Sequence, residues 1–169
     1  MPQPPRFPMI DGFEFAGAGG SMRGAWAAGE FPRLRALLHD EAGSAEYELQ
    51  GVRDEFGRHS LNLRVVARLR LICKRCLEAV DVELREDVTL WLARSQSELD
   101  AQPLTTEAPD GIVAAKDMAV RDLVEDQLLL ALPYAPRHDD CPAQGSAAPV
   151  GRQTPFAGLR GMLRGRNRH

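Results

Sequence analysis

Two alternating runs on either side of Cys73-Lys74-Arg75-Cys76 constrain the fold of this chain more than any other feature. Before the cysteines, Leu61, Leu63, Val65, Ala67, Leu69 and Leu71 alternate with Asn62, Arg64, Val66, Arg68 and Arg70. After them the apolar set is Val80, Val82, Leu84, Val88, Leu90 and Leu92. Period-two alternation marks strands with one buried and one wet face. Folding the runs together on a two-residue Lys74-Arg75 turn sets Leu69 against Val80, Ala67 against Val82, Val65 against Leu84 and Leu61 against Val88. All eight then share one face, and a one-residue slip would separate them. The outer face pairs Arg68 with Asp81 and Asn62 with Asp87.

Lys-Arg lacks the glycine or asparagine that tight hairpin turns favour, so another element is expected to hold the tip. Cys-x-x-Cys is the half-site spacing of structural zinc, and His138-Asp139-Asp140-Cys141 offers a second half. Cys73, Cys76, His138 and Cys141 would then form a closed Cys3His site. The gap of about 60 residues between the halves is not a standard finger spacing. The competing reading leaves the cysteines at strand ends and His138 capping a loop. A thioredoxin-like redox role is the weaker alternative, because that motif opens a helix after a strand. Here strand pattern lies on both sides.

The other elements follow from the same patterning. Residues 1–9 read as a disordered arm, and residues 10–141 as a single α+β domain. Ile10, Phe13 and Phe15 suggest a short strand, and Ser21 to Ala27 a second with Met22 and Trp26 on one side. Glu30 to Leu38 is expected to be helical, with Phe31, Leu34, Leu37 and Leu38 on one face and Gly43 beyond its end. Residues 45–53 alternate, with Tyr47, Leu49 and Gly51 inward, and begin an antiparallel meander that continues through 60–72 and 78–93. The fold class is therefore α+β: an antiparallel β-meander, open to curling into a barrel-like form, with two packed helices. The connection from Ser95 to Lys116 is acidic and long, with a brief strand at Gly111 to Ala115. A second helix starts near Asp117, its expected N-cap. Val120, Leu123, Val124, Leu128 and Ala131 form its apolar stripe, and Arg121, Asp122, Glu125 and Asp126 lie outside. Pro133 stops it.

Residues 142–169 read as a linker and a flexible basic tail. The net charge of −3 conceals an asymmetry, because residues 150–169 carry five arginines and no acid. The remaining 149 residues hold 16 basic against 24 acidic groups. Arg160, Arg164, Arg166 and Arg168 are candidate RNA contacts, as is the stripe Arg64, Arg68 and Arg70 on the meander's wet face. Asp81, Glu83 and Asp87 lie opposite or diagonal to that stripe and can neutralise it. Composition is that of an ordinary soluble protein, 44% hydrophobic and 27% charged. No apolar run approaches the roughly 20 residues of a membrane helix. Three cysteines, an odd count, argue for a reducing compartment and against a secreted disulfide scaffold. The glycine-rich Ala16 to Gly20 lacks the ending of a phosphate loop. No nucleophile–base pair or acidic dyad stands out, and His39, His59 and His169 sit in polar or terminal contexts. The expectation is a cytoplasmic protein that is not an enzyme, with no membrane and no small-molecule substrate.

Several stretches in order are similar to a known family. They are Leu-Ile-Cys-Lys-Arg-Cys-Leu-Glu (71–78), Leu-Val-Glu-Asp-Gln-Leu-Leu-Leu-Ala-Leu-Pro (123–133), His-Asp-Asp-Cys (138–141) and Thr-Pro-Phe-Ala-Gly-Leu (154–159). Together they resemble the YceD family, the large ribosomal RNA subunit accumulation proteins, from about Ile10 to Leu163. The resemblance implies a bacterial cytoplasmic role in the synthesis, processing or stability of 23S rRNA, with no established catalysis. Its implied partner is the large-subunit rRNA or its precursor particle, met directly or through a protein. The cysteines are not universal in that family, which makes metal a lineage feature there. A protein-binding adaptor and a thiol redox or zinc-sensing protein are the alternatives.

Overall fold

The computed structural model describes residues 7–54, 57–102 and 110–141. Its centre is an open five-stranded sheet in the order β2-β3-β4-β5-β6, not closed into a barrel. The strands are β2 (Ser21–Ala27), β3 (Leu38–Arg53), β4 (His59–Ile72), β5 (Ala79–Ala93) and β6 (Asp110–Val113). The first four run antiparallel, and β6 joins β5 in parallel. Two short strands, β1 (Met9–Ile10) and β7 (Met118–Ala119), pair separately. The helices are α1 (Gly12–Gly17), α2 (Gln96–Asp100) and α3 (Val120–Ala131). This is an α+β architecture.

The alternation in β4 does what its parity implies. Leu61, Leu63, Val65, Ala67, Leu69 and Leu71 are all buried, while Arg64 and Arg68 are exposed. The register with β5 differs from the expected one by two residues. Leu69 faces Val82, Leu71 faces Val80, Ala67 faces Leu84, Leu63 faces Val88 and Leu61 faces Leu90. On the outer face Arg68 lies opposite Glu83, Arg70 opposite Asp81, Arg64 opposite Asp87 and Asn62 opposite Thr89. A two-residue slip preserves parity, so face assignment survives it. The cause is the turn. It spans Cys73 to Glu78 instead of Lys74-Arg75 alone, and the last ladder pair is Ile72 with Ala79.

Two expected elements change type. Residues 12–17 form α1 and not a strand, because the Asp11 carboxylate accepts from the Glu14 amide at 3.0 Å and caps a helix. The stretch 30–38 forms two 3-10 turns, Ala28–Glu30 and Leu34–Leu37, in place of an α-helix. Phe31, Leu34 and Leu38 are still buried, but Leu37 is exposed. Gly43 ends no helix. It sits in β3 where the register with β4 shifts, at φ +116°, and an added Cβ would lie 2.1 Å from the Arg68 carbonyl oxygen. Only glycine tolerates that position.

α3 lies on the inner face of β4 and β5, with Val120, Val124 and Leu128 fully buried. Its N-cap is Ala119, without a side-chain bond, and not Asp117. Residues 118–119 are drawn into β7 instead, which delays the helix start. Leu123 and Ala131 flank the buried stripe, while Leu130 is exposed. Glu125, expected outside, is 2% exposed. No helix among the described residues is long and apolar enough to cross a membrane.

Candidate metal centre

β4 and β5 end in a turn that their ladder cannot complete, because both cysteines lie beyond the last pair. The turn is closed by backbone bonds instead. The Cys73 amide donates to the Glu78 carbonyl at 2.9 Å and the Leu77 amide donates to the Cys73 carbonyl at 3.0 Å. Past α3, Pro133 turns the chain back, and the Pro136 carbonyl accepts from the Lys74 amide at 2.9 Å. That bond places His138 and Cys141 over the turn. The Cys73 and Cys141 sulfurs are 3.8 Å apart, and Cys76 Sγ is 3.5 Å from His138 Nδ1. All four donor atoms lie within 4.8 Å of one another.

The Cys73–Cys141 and Cys76–His138 separations match edges of a tetrahedral ion. Bonds of about 2.3 Å to sulfur and about 2.0–2.1 Å to imidazole require edges of about 3.8 Å between sulfurs and about 3.6 Å from sulfur to nitrogen. His138 Nε2 lies 2.8 Å from the Ala79 carbonyl oxygen. Donating its proton there leaves Nδ1 as the lone-pair nitrogen, the orientation that a metal-bound imidazole needs. Cys73 and Cys141 are buried, whereas Cys76 and His138 are half-buried. The three cysteines and the histidine thus form a cluster compatible with a metal site.

Local electrostatics prepares the thiols unequally. The Cys76 amide directed at the Cys73 sulfur is the main cause of a Cys73 pKa held down to about 5, outweighing burial, with the Arg75 and His138 amides adding to it. Burial pushes Cys141 up to about 11, reinforced by the neighbouring sulfurs of Cys76 and Cys73. The hydrogen bond to Ala79 raises the His138 pKa, with the Cys73 sulfur contributing next.

Leu77 follows the second cysteine at φ +67° and is 66% exposed. A branched side chain in the left-handed region costs about 1–2 kcal/mol. Leu77→Gly is therefore expected to stabilise the metal-loaded protein by about 0.5–1 kcal/mol, after allowing for glycine's greater freedom when unfolded. Chemical denaturation measures this, and a lowered midpoint would mean that the Leu77 side chain packs more than its exposure implies.

The arginine stripe is present but engaged. Arg64 pairs with Asp87 at 2.9 Å and approaches Glu48 at 3.8 Å. Arg70 pairs with Asp40 at 2.7 Å and Asp81 at 3.6 Å, and Arg68 reaches Glu83 at 3.9 Å. Arg160, Arg164, Arg166 and Arg168 lie outside the described residues. What the spacing alone did not reveal is the support around the donors, namely the Pro136 and Ala79 carbonyls. Pro133 and Pro136 were the available signal, since prolines after a helix force a fixed change of direction.

A family model described as "Large ribosomal RNA subunit accumulation protein YceD" matches residues 61–160. The chain belongs to the YceD family. No curated protein and no solved structure matches it. The YceD match takes in β4 from Leu61 onward, β5, α3 and all four donors of the cluster, and it continues past Cys141. The family's description places its members in the accumulation of large ribosomal subunit RNA.

Proposed function

We propose that this YceD-family chain is a non-enzymatic ribosome-biogenesis factor of the bacterial cytoplasm, needed for the synthesis, processing or stability of 23S rRNA. The observation carrying this reading is the family match over residues 61–160. The cluster of Cys73, Cys76, His138 and Cys141 serves as a structural zinc site, a reading supported by the donor separations of 3.8 and 3.5 Å. Four protein donors fill a tetrahedral ion, so such a site ties residues 133–141 to the hairpin turn and has no position for an activated water. A CxxC set between two strands, and not at the start of a helix, speaks against thioredoxin-like chemistry.

Direct contact with RNA falls to Arg160, Arg164, Arg166 and Arg168, because Arg64, Arg68 and Arg70 already face carboxylates. That same pairing favours a second reading, an adaptor that reaches the rRNA through a ribosomal or RNA-processing protein. Deletion of the gene is expected to lower 23S rRNA relative to 16S, and an unchanged ratio would overturn the function. Ultraviolet crosslinking in cells is expected to recover 23S rRNA or its precursor. Changing the four tail arginines to glutamine should lower that recovery and flatten the salt dependence of binding by roughly 0.7–0.9 per lost phosphate contact. Equal recovery from the variant would move the RNA surface to the Arg64–Arg70 stripe, and recovery of protein without RNA would establish the adaptor.

A further inference from the structure

Beside the cluster, on the side away from β4, a groove of about 950 Å³ runs between β5 and residues 133–141. Its apolar wall includes Val80, Val82 and Pro133, and its rim carries Glu78, Asp81, Asp139 and Asp140 against a single cation, Arg137. Val82 is on the inner face of β5 and is only partly buried against the core. Among the described residues, β6 pairs with β5 only from Leu90 to Ala93, and no strand pairs with that edge of β5 nearer the groove. An apolar trough with an acidic rim suits a ligand that is apolar on one side and basic on the other.

The chain itself supplies such a segment. Cys141 lines the groove and is the last described residue, so whatever follows leaves from the groove's own wall. Within residues 150–169, Phe156, Leu159 and Leu163 recur at spacings of three and four, among five arginines and no acid. The YceD match also continues through this stretch to residue 160. We propose that in the RNA-free protein residues 155–164 dock in cis in this groove, with Phe156 and Leu159 against Val82 and Pro133 and with Arg160 and Arg164 facing Asp81 and Asp139 until RNA phosphates compete for them. The residues between Cys141 and Phe156 number fourteen. Extended, they span up to about 45–50 Å, so the return is within reach. A tether of this length holds the segment at an effective concentration in the millimolar range, where even weak intrinsic affinity keeps the groove occupied. Docking would complete the burial of Val82 and neutralise the acidic rim beside the cluster.

The test uses the full-length, metal-loaded protein, purified free of RNA, with photoreactive benzoylphenylalanine in place of Phe156. Illumination followed by mass spectrometry is expected to give intramolecular crosslinks concentrated on residues 80–82 and 133–137. The yield should fall at least threefold in Asp81→Lys, a fully accessible rim position, and at high salt. Each variant's metal content is measured alongside to show that the cluster is intact. Crosslinks joining two chains, crosslinks scattered over the sheet, or a groove crosslink indifferent to both Asp81→Lys and salt would overturn the proposal. Because no RNA is present, these outcomes leave the rRNA reading untouched and are separate from its failure.

Discussion

Cys76→Ser protein is expected to lose the one zinc ion that each wild-type chain should carry after purification without tags or added metal. It should melt roughly 10–20 °C lower. The size follows from the class of change: loss of a structural metal belongs among the substitutions costing more than about 4–5 kcal/mol, and a chain of this length shifts by roughly 2–4 °C per kcal/mol. The fold should persist, because the sheet core from Leu61 to Leu90 is buried independently of the cluster. What is lost is the metal tether between the hairpin turn and residues 133–141, leaving the bonds from Lys74 to Pro136 and from His138 to Ala79. A chelator should lower the wild-type melting temperature to the variant's value and leave the variant unmoved. Stripping should be easier at mildly acidic pH, because thiolates and a neutral imidazole are the binding forms and protons compete for them. A wild-type protein that contains no metal and melts identically with and without chelator would refute the zinc reading.

The donor set was legible because its information is local. Two cysteines two apart and a His-x-x-Cys segment are visible in the chain, and a helix of known rise between β5 and His138 lets them meet. Faces of strands were legible for the same reason, since parity depends only on neighbouring residues. Registration was not. A shift of two residues in the β4–β5 hairpin keeps every apolar side chain on the inner face, so no pattern in Leu61 to Leu92 distinguishes one turn length from the other. The turn is lengthened by amides that aim at the Cys73 sulfur and by Leu77 at positive φ, and neither has a signature in residue type. The misread Phe13–Phe15 segment teaches a related lesson. Apolar residues two apart suit a strand, yet the Asp11 cap alone turns the same residues into α1.

Glu125 is where sequence reasoning failed most instructively, and where the second large effect is expected. On a helical wheel it falls among Arg121, Asp122 and Asp126, the outer face of α3. In the fold its carboxylate is buried and accepts from the Arg33 amide at 2.6 Å, the Leu34 amide at 3.0 Å and the Arg33 Nε at 3.0 Å. These donors open the 3-10 turn Leu34–Leu37, whose first amides have no partner within the turn itself. The acceptor lies about 90 residues away in sequence. No local pattern could announce it. Glu125→Ala is expected to cost about 2–4 kcal/mol, because it strands the Arg33 and Leu34 amides while the half-exposed Arg33 guanidinium can turn to solvent. Asp126→Ala removes the other contact of the same arginine, 2.6 Å from Arg33 Nη1 but half-exposed. Solvent screens that pair, so its loss should cost less than about 1 kcal/mol. Glu125→Gln should fall between the two, since its amide oxygen can still accept from the Arg33 and Leu34 amides while its NH2 group faces the Arg33 guanidinium. Urea denaturation of the three variants orders these effects. Equal losses for Glu125→Ala and Asp126→Ala would mean that the buried carboxylate does not anchor the 31–38 segment to α3.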